Sequence, residues 1–252
     1  MKNTVLITGG AQRIGAIISE RIAREGWNVI IHYNKSRNKA FNLKKKLSSY
    51  KINSCCIKAD LSKESDLKKL FIYAKKEMGG VNCLINNAST FELDSIENIK
   101  KKNWDYHLNT NVWAPIFLIQ QFIKNLPKKS NGNIINILDQ RVVNLTPFFT
   151  TYTLTKSVLW TLTQTLALSL APKIKVNAIG PGPTFSSKRQ TSKQFKNQYM
   201  KVPLKKAVDP NEIAEAVLFI LNSNSLTGQL INIDSGQHLG WAQGNNKKII
   251  DE

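Results

Sequence analysis

The chain has 252 residues, 42% hydrophobic and 21% charged, the balance of a globular protein large enough to bury a core without disulfide or metal staples. No apolar run reaches the roughly 18 residues of a membrane span, and the opening MKNTVLITGG enters a short strand pattern directly, so neither a membrane segment nor a secretory leader is expected. The formal charge of +19 raises nucleic-acid binding, but the lysines are scattered (Lys44 to Lys46, Lys100 to Lys102, Lys128 and Lys129, Lys205 and Lys206) with no interleaved aromatics. A solvated basic surface is therefore expected, with no nucleic-acid partner and some of the charge gathering an anionic ligand.

Short apolar runs alternate with helical patterns along the whole chain, the signature of βαβ units and a parallel sheet. Strands are predicted at Thr4 to Thr8, Asn28 to His32, Ser54 to Lys58, Cys83 to Asn86, Asn133 to Leu138, Lys175 to Ile179 and Leu230 to Ile233. Helices are predicted at Ile14 to Glu25, Lys39 to Ser48, Ser65 to Glu77, Asn103 to Lys124, Thr153 to Leu170 and Pro210 to Leu221, the last opened by proline. This describes a single α/β domain, 1–252, with a doubly wound seven-stranded parallel sheet. The stretch 180–206, rich in Ser, Lys and Gln, is predicted as a substrate loop or lid, and 243–252 as a polar tail. Cys55, Cys56 and Cys83 lack metal-ligand spacing and sit in strand-like runs; small core residues are expected, and no metal site.

The first predicted strand runs into Thr8-Gly9-Gly10-Ala11-Gln12-Arg13-Ile14-Gly15 and then a helix. Glycine permits positive φ and close approach of a pyrophosphate to the backbone, and the helix N-terminus offers free amide donors. The second strand ends in His32-Tyr33-Asn34-Lys35-Ser36-Arg37. An NAD site would place a carboxylate there for the ribose hydroxyls. Lys35 and Ser36, with Arg13 on the neighbouring turn, suit a 2′-phosphate instead, so NADPH is the expected cofactor.

Four further motifs follow in order. They are Asn86-Asn87-Ala88-Ser89 after the fourth strand, Asn111 in Asn-Val-Trp-Ala-Pro, Tyr152-Thr-Leu-Thr-Lys156, and Pro181-Gly182 after the sixth strand. With the glycine turn they resemble the short-chain dehydrogenase/reductase family over nearly the whole chain. The resemblance implies a Rossmann-type domain and a cytoplasmic homotetrameric enzyme. It implies catalytic roles for Asn111, Tyr152 and Lys156. It implies cofactor contacts from Gly9, Arg13, Ile14, Gly15, Tyr33, Asn34, Lys35 and Ser36. Further contacts are implied for Asp60, Leu61, Asn87, Ala88, Ser89, Tyr152, Lys156, Pro181 and Gly182. The chemistry agrees: Tyr152 and Lys156, four apart, share a helical face. An ammonium beside a phenol is expected to lower its pKa and make it a usable general acid.

Two positions depart from the common family pattern. Asp139 ends the fifth strand where a serine is usual, and Arg13 stands where the turn usually has its middle glycine. Both resemble the pteridine reductases, as do His32-Tyr33-Asn34-Lys35-Ser36, Asn87-Ala88-Ser89-Thr90-Phe91 and Lys201-Val202-Pro203-Leu204. That subgroup implies Phe91 as a stacking surface for a pterin, with Ser89, Asp139 and Tyr152 also at the substrate. Asp139 is expected to join Tyr152 in moving a proton to a ring nitrogen. The alternatives are a carbonyl reductase of the same fold, of 3-oxoacyl or sugar-alcohol type, and a non-catalytic NADPH- or RNA-binding protein.

Overall fold

The computed structural model describes residues 2–240; the predicted tail at 243–252 lies outside them. Seven parallel strands form one sheet: β1 (Thr4–Ile7), β2 (Asn28–Tyr33), β3 (Ser54–Lys58), β4 (Cys83–Asn86), β5 (Gly132–Ile137), β6 (Ile174–Pro181) and β7 (Leu230–Ile233). Their order is β3-β2-β1-β4-β5-β6-β7, so the winding reverses between β1 and β4. In such sheets the ligand crevice opens beyond the strand C-termini at that reversal.

Both faces of the sheet are covered, which is why the central strands read as near-continuous apolar runs. Successive side chains go to opposite sides. Val5 and Ile7 of β1 join one core with Ile18 and Ile22 of α1 (Arg13–Arg24), Leu43 of α2 (Arg37–Leu47) and Val217 of α8 (Pro210–Asn222). Leu6, between them, joins the opposite core with Leu70 of α3 (Glu64–Met78), Phe122 of α5 (Ala114–Asn125) and Ala167 of α6 (Thr150–Leu170). Cys55 and Cys83 lie in the cores, as expected, and Cys56 is half-buried. Burial pushes the Cys55 thiol up to about 12.

The predicted strands and helices appear with their ends shifted by a few residues, except in two places. The helix predicted over Asn103 to Lys124 is divided into α4 (Lys101–Leu108), a π-turn at Asn109–Trp113, and α5. Pro115 has no N–H for the carbonyl of Asn111, and the Ala114 N–H bonds back to Asn109 O; the i→i−4 ladder slips by one residue there. The stretch 180–206 holds a helix, α7 (Ser192–Tyr199), started by a reciprocal capping box between Thr191 and Gln194.

Phe122 is fully buried, and its ring lies 3.0 Å from where a Cβ on Gly132 would stand. Glycine at that strand position makes room for the ring. Phe122→Ala should cost about 3–5 kcal/mol, the usual loss for emptying a buried aromatic site. Denaturant unfolding with an unchanged slope would measure it.

Candidate active site

At the reversal point, Thr8 Oγ1 accepts from the backbone N–H groups of Asn87 (2.9 Å) and Ala88 (3.0 Å). Asn87 Nδ2 donates to Thr8 O (2.8 Å) and Gly9 O (3.2 Å). The ends of β1 and β4 are thereby fixed to one another. Gly9 has φ +63°, and a Cβ on Gly15 would stand 2.3 Å from Gly9 O. Glycine at 15 is thus required for α1 to start directly on the turn. No side chain caps α1 at Gln12, so its first amides remain available to an anion.

Arg13 adopts φ +53°, the left-handed conformation that explains why glycine is common at this position and that disfavours a side chain. Its guanidinium lies 5.0 Å from the Phe185 ring centroid and donates to Ser186 O (3.1 Å).

His32 holds the turn from below. Its Nδ1 accepts from Gly9 N–H (2.9 Å), so Nε2 carries the proton and faces Ala59 O at 3.1 Å. Complete burial pulls its pKa down to about 4. The neutral ring thus ties β1, β2 and the end of β3 together.

The other end of the cleft is built on β5 and α6. Tyr152 Oη donates to Asp139 Oδ2 (3.0 Å). Asp139 also accepts from the Arg141 backbone N–H (2.9 Å) and from Arg141 Nη1 through both oxygens (3.2 and 3.1 Å). Lys156 Nζ donates to Ile137 O (2.8 Å) and sits 5.7 Å from the centre of the Tyr152 ring. The expected lowering of the phenol pKa is not what the structure shows. Burial, then the Asp139 charge, raise Tyr152 well above the usual phenol value, against the lowering by Arg141. Burial pulls Lys156 down to about 8, against the pull of Asp139. Both groups lose solvation, and that outweighs their attraction.

Phe91 is stacked face to face with Phe149, centroids 4.4 Å apart and planes at 9°, and meets Tyr152 edge-on at 4.7 Å. Arg141 and Arg189 lie within 5.1 to 5.7 Å of these two ring centroids. The loop carrying Phe91 is held by Asn111, whose Oδ1 accepts from Thr90 N–H (2.8 Å) and whose Nδ2 donates to Thr155 Oγ1 (3.1 Å). His107 Nε2 accepts from Glu92 N–H (3.2 Å).

One cleft of about 1160 Å³ is lined by every site residue expected from the sequence except Asn111. Asn111 stands behind the loop; its side chain bonds to Ser89, Thr90 and Thr155, not to Tyr152 or Lys156. The cleft also holds residues the sequence reading passed over: His32, Lys39, Arg141, Phe149 and Arg189. Lys39, Arg141 and Phe149 could have been found, since each lies within three residues of a site residue already recognised, and Arg189 lies in the stretch 180–206 read as a substrate loop.

A model of the short chain dehydrogenase family matches residues 3–197. The chain belongs to that family. Among solved structures, the FolM alternative dihydrofolate reductase 1 from Brucella canis, complexed with NADP, is 40% identical, with a TM-score of 0.91 over 97% of both chains. An angucycline C-6 ketoreductase with bound NADP is 25% identical, with a TM-score of 0.87 over 94% of this chain and 96% of that one. Among curated proteins, the 3-oxoacyl-acyl-carrier-protein reductase of Staphylococcus epidermidis is 29% identical over 95% of this chain and all of that one. This chain is thus a short-chain oxidoreductase on a Rossmann-type sheet.

Replacing His32 by Leu would orphan Gly9 N–H and Ala59 O, at about 1–3 kcal/mol for each buried group left unpaired. The pH dependence has a definite sign. His32 titrates near 6.5 unfolded and about 4 folded, so the unfolded chain binds the extra proton between these values. The histidine's contribution is complete above pH 6.5 and shrinks as pH falls toward 4. Unfolding at pH 7.5 and at pH 5 should therefore show a wider gap between wild type and His32→Leu at the higher value.

Proposed function

We propose that this protein is an NADPH-dependent pteridine reductase. One observation carries the substrate assignment: Tyr152 Oη bonds to a carboxylate, Asp139 Oδ2 at 3.0 Å, where a serine hydroxyl would serve a ketone. The 40% identity to a structure described as an alternative dihydrofolate reductase supports it. The cleft residues fit the cofactor. Lys35, Ser36 and Lys39 gather at the end of β2 with no acidic side chain among 32–37, which suits a 2′-phosphate. The uncapped α1 N-terminus suits the pyrophosphate. NADPH, when bound, supplies the hydride.

The chain's own residues handle the proton. Burial and the Asp139 carboxylate keep it on Tyr152 Oη through the neutral range. The hydroxyl turns from Asp139 to a ring nitrogen of the substrate as the adjacent ring carbon is reduced, so C=N becomes CH–NH. Lys156 and Arg141 offset the phenolate charge left behind, and the proton is regained from solvent by way of Asp139. Phe91 supplies the face against which the flat ring lies. In the structure that face is shared with Phe149, so the substrate enters beside Phe149 or displaces it.

A carbonyl substrate is the second reading, supported by the 3-oxoacyl reductases among the curated relatives. NADPH oxidation with 7,8-dihydrobiopterin, 7,8-dihydrofolate and an acetoacetyl thioester, side by side, separates the two. Reduction of the thioester alone would overturn the pteridine assignment. Tyr152→Phe should leave NADPH binding nearly intact and lower turnover by about 10²-fold or more, the scale of general acid catalysis. Asp139→Ser should nearly abolish pteridine reduction although it restores the common family residue; full activity would remove the chemical basis of the assignment. Lys35→Asp should shift the cofactor preference toward NADH, read from the ratio of kcat/KM values. A homotetramer is also proposed, on the family resemblance and the exposed apolar Trp113, Leu154 and Val158; light scattering tests it.

A further inference from the structure

We propose that Asp94 is a positioning residue for the reaction: it caps the helix that bears Tyr152 from the loop that carries Phe91, and so fixes the proton donor against the face on which the substrate lies. The proposal rests on the pteridine reading above, which makes Phe91 that face.

Helix α6 begins without a cap of its own. The first amides of a helix have no acceptor within it and usually take one from the side chain of the preceding residue. That residue here is Phe149, which has no acceptor group and stands at φ +60°, ψ +40°. The left-handed conformation is costly for a bulky side chain. Both needs are met from the loop between β4 and α4. Asp94 O accepts from the Phe149 N–H (2.8 Å), and Asp94 Oδ1 accepts from the Thr151 N–H (3.2 Å). The second is the bond that a capping aspartate makes, here supplied by a residue distant in sequence, and it sets a carboxylate at the positive end of the helix dipole. Tyr152 is the next residue.

Asp94 is only 3% exposed, and its Oδ2 has no hydrogen-bond partner among the described residues. An apolar side chain would fill the same space without leaving a buried oxygen unpaired. What an acceptor alone supplies at this point is the cap.

The loop does not depend on Asp94 for its course. Asn111 holds Thr90 by both its N–H (2.8 Å) and its carbonyl (3.0 Å), and the fully buried His107 holds the Glu92 N–H (3.2 Å). Phe91 O takes a further bond from Arg189 (2.9 Å). Phe91 is thus fixed before the chain reaches Asp94. The cap joins this fixed loop to the first turn of α6, where the Phe91 and Tyr152 rings meet edge-on with centroids 4.7 Å apart. Removing the cap leaves the stacking face in place and frees the donor.

The test compares wild type, Asp94→Ala and Asp94→Asn with NADPH and whichever of 7,8-dihydrobiopterin and 7,8-dihydrofolate the wild type reduces faster, with sites counted by NADPH titration. Asparagine keeps the Oδ1 acceptor and alanine does not. Asp94→Ala should lower kcat per site about tenfold, since a misplacement of about 1 Å can cost up to about 10²-fold, while KM and NADPH affinity stay nearly unchanged. Asp94→Asn should restore kcat to near the wild-type value. The solvent deuterium isotope effect on kcat should rise in Asp94→Ala alone, because with the donor misplaced the proton step limits the rate. Wild-type kcat per site in Asp94→Ala would mean that the residue only stabilises the helix. A kcat as low in Asp94→Asn as in Asp94→Ala would mean that its charge, and not the cap, is what matters. Either result overturns the proposal and leaves the pteridine reading standing. A wild type that reduces an acetoacetyl thioester but neither dihydropteridine overturns the pteridine reading, and with it this proposal, which needs a flat ring on Phe91.

Discussion

The side chain of Thr8 accepts two backbone N–H groups from the far side of the winding reversal, at 2.9 and 3.0 Å. Strands β1 and β4 are adjacent in the sheet but separated in sequence by two βα units, and this contact fixes where their ends stand. The glycine turn leaves β1 there, and the loop bearing Phe91 leaves β4 there. Asn87 Nδ2 and the buried His32 tie the turn from two other directions. A turn with positive φ at Gly9 and Arg13 is not a low-energy conformation for an unsupported chain. It persists because three strands hold it, and the cleft inherits that rigidity.

Burial sets the state of the groups at the far end. A phenol, an ammonium and a carboxylate close together would ordinarily be thought of as a charge network. Here Tyr152 and Lys156 are both enclosed, and loss of solvation disfavours the charged form of each, driving Tyr152 up and Lys156 down to about 8. Arg141 is what makes the carboxylate tolerable, with two side-chain contacts and a backbone one. Even a half-buried carboxylate without such a partner would be costly.

The architecture was legible because its signals are local and repeated. Strand–turn–helix alternation, glycine at 9 and 15, and the four-residue spacing of Tyr152 and Lys156 need no tertiary information. The π-turn at Asn109–Trp113 was hidden, although Pro115 is visible, because periodicity averages over a one-residue slip. The helix Ser192–Tyr199 was hidden in a polar stretch whose only aromatic pair is Phe195 and Tyr199, although Thr191 and Gln194 form a capping box. The direction of the Tyr152 shift was misread for a different reason. Pair chemistry can be written from sequence, but the depth of burial that overrides it is a property of the assembled fold. Phe149 and Arg189 reach the cleft from segments whose course depends on distant contacts, Asp94 for the first and Glu92 for the second.

The difference between a carboxylate and a serine at position 139 bears on more than proton transfer. A serine hydroxyl donates and accepts, so with the tyrosine it can give a ketone oxygen two donors as charge develops on it. A carboxylate only accepts. Asp139 bonded to Tyr152 therefore leaves the reacting atom a single donor, Tyr152 Oη, beside a negative charge. An oxyanion is poorly served by that arrangement. A ring nitrogen is well served, since it needs one proton and develops no full negative charge if the proton arrives with the hydride. The same negative charge attracts an N–H or amino group on the substrate's edge, which a pteridine has and a simple ketone lacks. Under the pteridine reading, the one substitution removes a carbonyl-orienting group and adds an acceptor for the heterocycle, and Arg141, two residues on, is the counterion that lets a buried strand end carry it.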